Sequence, residues 1–114
     1  MDCIFCKIAN KEIPTNFVYE DEFVVAFNDI SPAAPVHVLV VPKKHIANLL
    51  DLTSDDGQLM LHIMATVIPK IANEQGLAEN GFRLVVNTKE DGGQTVPHLH
   101  FHILGARTMA WPPG

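Results

Sequence analysis

The run "HLHFHIL", residues 98–104, sets histidines at 98, 100 and 102 between Leu99, Phe101 and Ile103. Successive side chains of an extended strand point to opposite faces, so strict alternation predicts a strand with three imidazoles on one face and apolar side chains on the other. That apolar face needs a cover, and one segment suits it. From Thr53 to Gln75, Leu59, Met60, Ile63, Met64, Val67, Ile68, Ile71 and Ala72 recur at helical spacing. Thr53 or Ser54 is the N-cap candidate and Gly76 the stop. Pro69 lies inside this helix and lacks an N–H, which predicts a kink or break near residues 65–68.

Elsewhere the signals are for strands. "NFVYE" and "EFVVAFND", separated at Glu20 and Asp21, read as a hairpin, and "VHVLVVP" as a β-branched strand ending at Pro42. "FRLVVNT" follows the turn "NGF", and "KEDGGQTVP" reads as a loop before the histidine strand. Residues 3–9 suit a short helix. The result is an α+β fold in one domain, residues 1–114: a mostly antiparallel sheet of five strands, one long helix and a short N-terminal helix.

A net charge of -5 argues against a nucleic-acid polymer as partner, because such binding is driven by phosphate neutralisation on a basic face. A small anion held by backbone amides remains compatible. The longest apolar run, Val38 to Val41, is far too short to span a bilayer, so no membrane partner is expected and the chain reads as cytoplasmic. Hydrophobic residues make up 47% of the sequence, which leans apolar and suggests a surface covered by a second subunit, hence a homodimer.

Three histidines in register invite a metal, yet at about 3.3 Å per residue the outer two stand roughly 13 Å apart along the strand. Two can share an ion; three do not converge. Nucleophilic catalysis fits better, since an imidazole with one nitrogen held as a donor exposes a lone pair on the other that can attack phosphorus. The middle residue, His100, is then the nucleophile. Gly92 and Gly93, just ahead of this strand, let backbone amides approach an anion. "CIFC" by itself is open between two plain thiols, a redox pair and half of a zinc site.

"HLHFHIL" resembles the signature of the histidine-triad (HIT) family of nucleotide hydrolases and transferases. The likeness runs through "NDISPAAPVHVLVVPKKHI", "VVNTKEDGGQTVPHLHFHILG" and the ending "WPPG", and that ending resembles the Hint branch of purine nucleoside phosphoramidases. The resemblance implies hydrolysis of the P–N bond of purine nucleoside 5'-phosphoramidates, those of adenosine and guanosine, through a nucleotidyl-histidine. It implies His100 as nucleophile, His102 on the phosphate and His37 completing the relay. Thr95 stands where many members have serine, as a leaving-group contact. For the nucleotide it implies Asp29 on the ribose, Phe5, Ile8, Phe27 and Ile30 around the base, and Asn87, Gly93 and Gln94 with Thr95 at the phosphate. Asn28 occupies a position that is often histidine in animal members, which leaves the base preference open. A dinucleoside polyphosphate hydrolase and a non-catalytic nucleotide-binding regulator are the alternatives.

Some bacterial members with the cysteine pair hold zinc, and the matching residues are Cys3, Cys6, His45 and His98. A closed Cys2His2 set is a structural zinc site with no position open to substrate. Without the resemblance, Asp29 before Ser-Pro is a plain turn former, Phe5, Ile8 and Phe27 are core, Lys43 and Lys44 a solvated strand end, and His62 a partly exposed or core-satisfied helix residue. Trp111 in "WPPG" is implied to cross to a partner subunit near its active site.

Overall fold

The computed structural model describes residues 2–114. Its order is α1 (Ile4–Ala9), β1 (Phe17–Glu20), β2 (Val24–Asn28), β3 (Val36–Pro42), α2 (Gly57–His62), α3 (Ile68–Glu74), β4 (Phe82–Val85), α4 (Lys89–Gly92) and β5 (Phe101–Gly105). The five strands form one sheet in the order β1-β2-β3-β5-β4, and every neighbouring pair is antiparallel. The α+β class and the five-stranded sheet are as expected from the sequence.

Register divides the side chains between two faces. Leu39 pairs with His102 and His37 with Leu104, so these share one face with Phe27, the partner of Leu39 on β2. Val40 pairs with Phe101 and Val38 with Ile103, and these look the other way onto Ile63, Val67, Ile68, Ile71 and Ala72. Each such fully buried apolar side chain contributes about 1.5–3 kcal/mol relative to exposure. On the histidine face α1 lies across the strands and buries Phe5, Ile8 and Ala9 against Val25, Phe27, Leu39 and Val41.

The long helix starts where its sequence predicts. Thr53 caps it in a capping box with Asp56, and Gly76, at φ +76°, ends it with Gly76 N–H on Asn73 O and Leu77 N–H on Ala72 O. Leu77 then packs so closely on β5 that a Cβ at Gly105 would lie 2.6 Å from it. Pro69 does not break the helix. A π-helical stretch, Ile63–Val67, takes up the lost hydrogen bond between α2 and α3. The wider turn drops Met64 off the apolar stripe, leaving it 41% exposed.

Two boundaries differ from expectation. Residues 89–92 form the short helix α4 rather than loop, because Gly93 in the left-handed region (φ +77°) closes a helical turn of Lys, Glu and Asp. The last strand joins the ladder only at Phe101, and β4 ends at Val85. His98, Leu99 and His100 are therefore held by other contacts.

Candidate active site and metal centre

The extended stretch before and within β5 puts all three histidines on the α1 face, as the alternation predicts: Phe5 meets both His98 and His100 edge-on at 6.0 and 5.0 Å between ring centroids, and His102 lies 4.9 Å from His100. Hydrogen bonds then assign a different nitrogen to each. His98 donates from Nε2 to the Pro42 carbonyl at 2.8 Å, which leaves its Nδ1 lone pair free. His100 donates from Nδ1 to the His98 carbonyl at 2.7 Å, which frees Nε2.

His102 is set from β3. Ala33 N–H donates to His37 Nδ1 at 3.0 Å, so neutral His37 carries its proton on Nε2, 2.9 Å from His102 Nδ1. His102 accepts there and keeps its own proton on Nε2. That nitrogen is buried with no partner among the described residues. A buried unpaired donor is costly, and a ligand oxygen would satisfy it. Burial, then the neighbouring imidazoles of His100 and His37, push the His102 pKa down to about 4, so the ring is neutral near pH 7.

Asp29 serves two neighbours. Its Oδ1 accepts Ser31 N–H at 2.8 Å, the turn-former role, while Oδ2 lies 3.6 Å from His37 Nε2. Asp29, His37 and His102 place three donors within 4.8 Å of one another. With Nδ1 of His37 occupied by an amide and its Nε2 proton donated to His102, the three side chains form a hydrogen-bonded chain and do not turn three lone pairs on one cation.

The other cluster differs. Cys3 Sγ stands 3.2 Å from His98 Nδ1, Cys6 Sγ 3.3 Å from His45 Nδ1 and 3.5 Å from His98 Nδ1, and the two Nδ1 atoms are 3.1 Å apart. A tetrahedral ion with bonds of about 2.0–2.3 Å spaces such ligands by about 3.3–3.8 Å; these four separations come within a few tenths of an ångström of that, and all four donor atoms lie within 4.8 Å of one another, so the set could hold a metal ion. The cysteines are free thiols. Burial, then the neighbouring Cys3, push the Cys6 pKa up to about 11, and a bound cation is what turns such thiols into thiolates. Burial also lowers the pKa of His98, keeping the ring neutral as a ligand must be. Cys3 doubles as the N-cap of α1, its sulfur accepting Cys6 N–H at 3.4 Å.

The remaining expected residues are placed as follows. Phe5, Ile8 and Phe27 are buried together, with Phe5 and Phe27 at 5.8 Å, whereas Ile30 is 99% exposed. Asn87 lies just past β4, half-buried, and Thr95 is exposed. Of the two glycines expected to face an anion, Gly93 spends its N–H within the loop on Glu90 O, and the next amide, of Gln94, goes to Lys89 O. The Gln94 side chain donates to Ala47 O and Val96 O and accepts Lys89 N–H, so it ties the loop to the His45 segment. Lys44 is not simply solvated; it pairs with buried Asp56 at 2.5 Å and lowers that carboxyl's pKa. His62, 2.6 Å from Asp21, is satisfied as predicted.

Sequence reasoning missed Arg107, whose guanidinium donates to the Ala33 carbonyl at 3.0 and 3.3 Å, clamping the residue whose amide orients His37. A cation two residues past the histidine strand was the available signal.

Sheet, tautomers and donor clusters together define a histidine-centred α+β domain with a hydrogen-bonded His37–His102 pair on one side of a free imidazole nitrogen and, on the other, four Cys and His donors that could hold a metal ion. The chain belongs to the HIT domain family, which it matches over residues 10–109. It is 54% identical over 113 residues to an uncharacterized HIT-like protein of Synechococcus elongatus, covering 99% of this chain and 97% of that one. It is 46% identical over 108 residues to the purine nucleoside phosphoramidase of Escherichia coli, covering 95% and 90%. Among solved structures, a HIT family hydrolase from Legionella pneumophila superposes with a TM-score of 0.96 at 50% identity, over 99% of this chain and 100% of that one. A histidine triad protein from Clostridium difficile gives 0.91 at 54% identity, over 96% and 95%.

Proposed function

We propose that this chain hydrolyses the P–N bond of purine nucleoside 5'-phosphoramidates through a nucleotide carried on His100. The observation that carries this reading is the pair of oriented nitrogens: His100 Nδ1–H is held by the His98 carbonyl, leaving Nε2 free, beside the unpartnered His102 Nε2–H. The identity with the Escherichia coli phosphoramidase supports the substrate class.

His100 Nε2 attacks the α-phosphorus as the P–N bond breaks, and the departing nitrogen takes a proton from solvent, which the water of the second step gives back, and leaves as the amine. His102 Nε2–H holds a phosphate oxygen and is kept in that tautomer by His37. Water then attacks the phosphorus, displaces His100 and releases the nucleoside monophosphate. Thr95 takes the leaving-group contact, Asp29 the ribose, Phe5, Ile8, Phe27 and Ile30 the base, and Asn87, Gly93 and Gln94 the phosphate surroundings. With their amides and the Gln94 side chain bonded within the protein, Gly93 and Gln94 act there by shaping the loop.

The Cys3, Cys6, His45 and His98 cluster is read as structural zinc, since two thiolates and two imidazoles in a closed tetrahedron suit that ion. When bound, zinc supplies cross-linking of α1 to the catalytic strand and no open coordination position. The partner is a second copy of this chain: among the described residues no strand pairs with the outer edge of β4, Phe82 on it is 41% exposed, and a groove of about 730 Å³ beside it is lined by Leu77, Arg83, Arg107 and Met109. Trp111, 81% exposed, is read as reaching that copy. No helix among the described residues is long and apolar enough to cross a membrane, and the cytoplasm is the proposed location.

Turnover of an adenosine 5'-phosphoramidate by the native protein and by His100→Ala tests the reading. Native turnover lost in the variant is expected. Far faster cleavage of diadenosine polyphosphates favours a polyphosphate hydrolase, and tight AMP binding without turnover favours a regulator.

A further inference from the structure

His98 holds two positions at once. Its ring is fixed at both ends, by the donor cluster at Nδ1 and by the Pro42 carbonyl at Nε2, while its main-chain carbonyl accepts the His100 Nδ1 proton. That carbonyl belongs to the peptide between residues 98 and 99. The N–H of the same peptide, on Leu99, donates to the Ile46 carbonyl at 2.6 Å. Ile46 follows His45, another member of the cluster. Since the ladder of β5 begins only at Phe101, no sheet hydrogen bond holds this peptide. Its orientation comes from two residues that are themselves cluster ligands or adjacent to one.

The third connection runs through α1. Cys3 and Cys6 bring that helix onto the sheet, and between them Phe5 sets its ring edge-on to His100 at 5.0 Å and 85°. Carbonyl acceptor, peptide anchor and ring contact of His100 thus all trace back to the same four side chains.

We propose that the Cys3, Cys6, His45 and His98 cluster is a positioning device for His100: with a metal held, it fixes the peptide that keeps the His100 proton on Nδ1 and the Nε2 lone pair toward substrate. His45 and His98 are positioning residues here, not catalytic ones. The inference rests on the proposed metal cluster and on the reading of His100 as nucleophile, and goes beyond an anchoring role, under which loss of metal lowers stability but leaves the resting His100 unchanged.

The test uses the full chain, loaded by Zn2+ titration and then stripped with a chelator, beside a Cys3→Ser/Cys6→Ser variant. Two quantities are read: the His100 Nδ1–H resonance in ¹⁵N-histidine-labelled protein, and the single-turnover rate of nucleotide transfer to His100. In metal-free protein that keeps its sheet by circular dichroism, the resonance is expected to broaden or vanish. The transfer rate should fall about tenfold to a hundredfold while AMP affinity moves by less than about threefold, the range expected when outer-shell support is lost. Returning Zn2+ should restore the stripped wild type and not the double variant. If both metal-free forms unfold, Cd2+ exchanged for Zn2+ in folded wild type should shift the resonance. An unchanged His100 resonance in folded metal-free or Cd2+ protein overturns the inference, as does a chain that binds no Zn2+. If the resonance moves with metal but no phosphoramidate is turned over, the functional reading fails and the positioning role stands.

Discussion

His98 and His102 are the same residue type on one extended segment, four positions apart, and each belongs to a compact donor cluster, yet the two clusters have opposite chemistry. Around His98 the donors are two sulfurs and a second imidazole, and the Pro42 carbonyl takes up Nε2 so that Nδ1 joins them. Around His102 the donors are a carboxylate and an imidazole whose far nitrogen is held by a main-chain amide, so protons rather than a cation fill the gaps. What separates the two is whether the backbone supplies an acceptor or a donor: the Pro42 carbonyl leaves the Nδ1 lone pair of His98 free, and the Ala33 amide turns the Nε2 proton of His37 toward His102.

The contrast is broken most severely from the relay side. His37→Ala removes the donor that fixes His102, and phosphoramidate turnover should fall by about 10²–10³-fold, the scale of losing an orienting partner of an acid-base group. The Cys/His cluster does not touch His37, so metal content should be unchanged; turnover within twofold of native would show that His102 needs no orienting.

Acid sharpens the comparison through stability. The folded pKa of His102 is about 4 against an ordinary 6.5, so between those values the unfolded chain binds a proton that the folded chain refuses. Stability is intact above about pH 6.5 and falls as the pH drops toward 4, by about 3 kcal/mol in total from this group. Denaturant unfolding at a series of pH values should show a slope in native protein that is shallower in His102→Gln, the remainder coming from His98, whose pKa burial also lowers.

The smallest effect lies on the helix-covered face, away from both clusters. Burial pushes the Asp21 carboxyl up, but hydrogen bonds from Tyr19, from His62 and from the amides of Phe23 and Val24 outweigh it and hold the pKa at about 2. A depressed carboxylate contributes stability above its ordinary pKa of 3.8 that is lost as pH falls through about 2. Asp21→Asn should cost about 1–2 kcal/mol at neutral pH, flatten stability between pH 4 and 2, and leave turnover as it is.

Periodicity carries most of the fold in the sequence. The alternation at 98–104 and the helical spacing at 53–75 each describe one face of one element, and burial keeps that face. The short helix α4 escaped because its two glycines read as loop, although Gly93 is the residue that lets the helix close. The grouping of Cys3, Cys6, His45 and His98, and of His37 with His102, follows from the resemblance; that of Asp29 with His37 does not, because the resemblance gives Asp29 to the ribose. The nitrogen each histidine uses does not, because it is decided by the carbonyls of Pro42 and His98 and the amide of Ala33, which carry no side-chain signal. Arg107 was hidden for the same reason, since its partner is a main-chain oxygen.

Native protein mixed with an adenosine 5'-phosphoramidate, quenched in alkaline denaturant so that the acid-labile P–N adduct survives, and mapped by peptide mass spectrometry tests the unequal histidines most directly. One adenylyl group is expected on the peptide containing residues 98–102, located on His100 by fragmentation and absent from His100→Ala. An adduct on His98 or His102, or turnover by His100→Ala at the native rate, would contradict it.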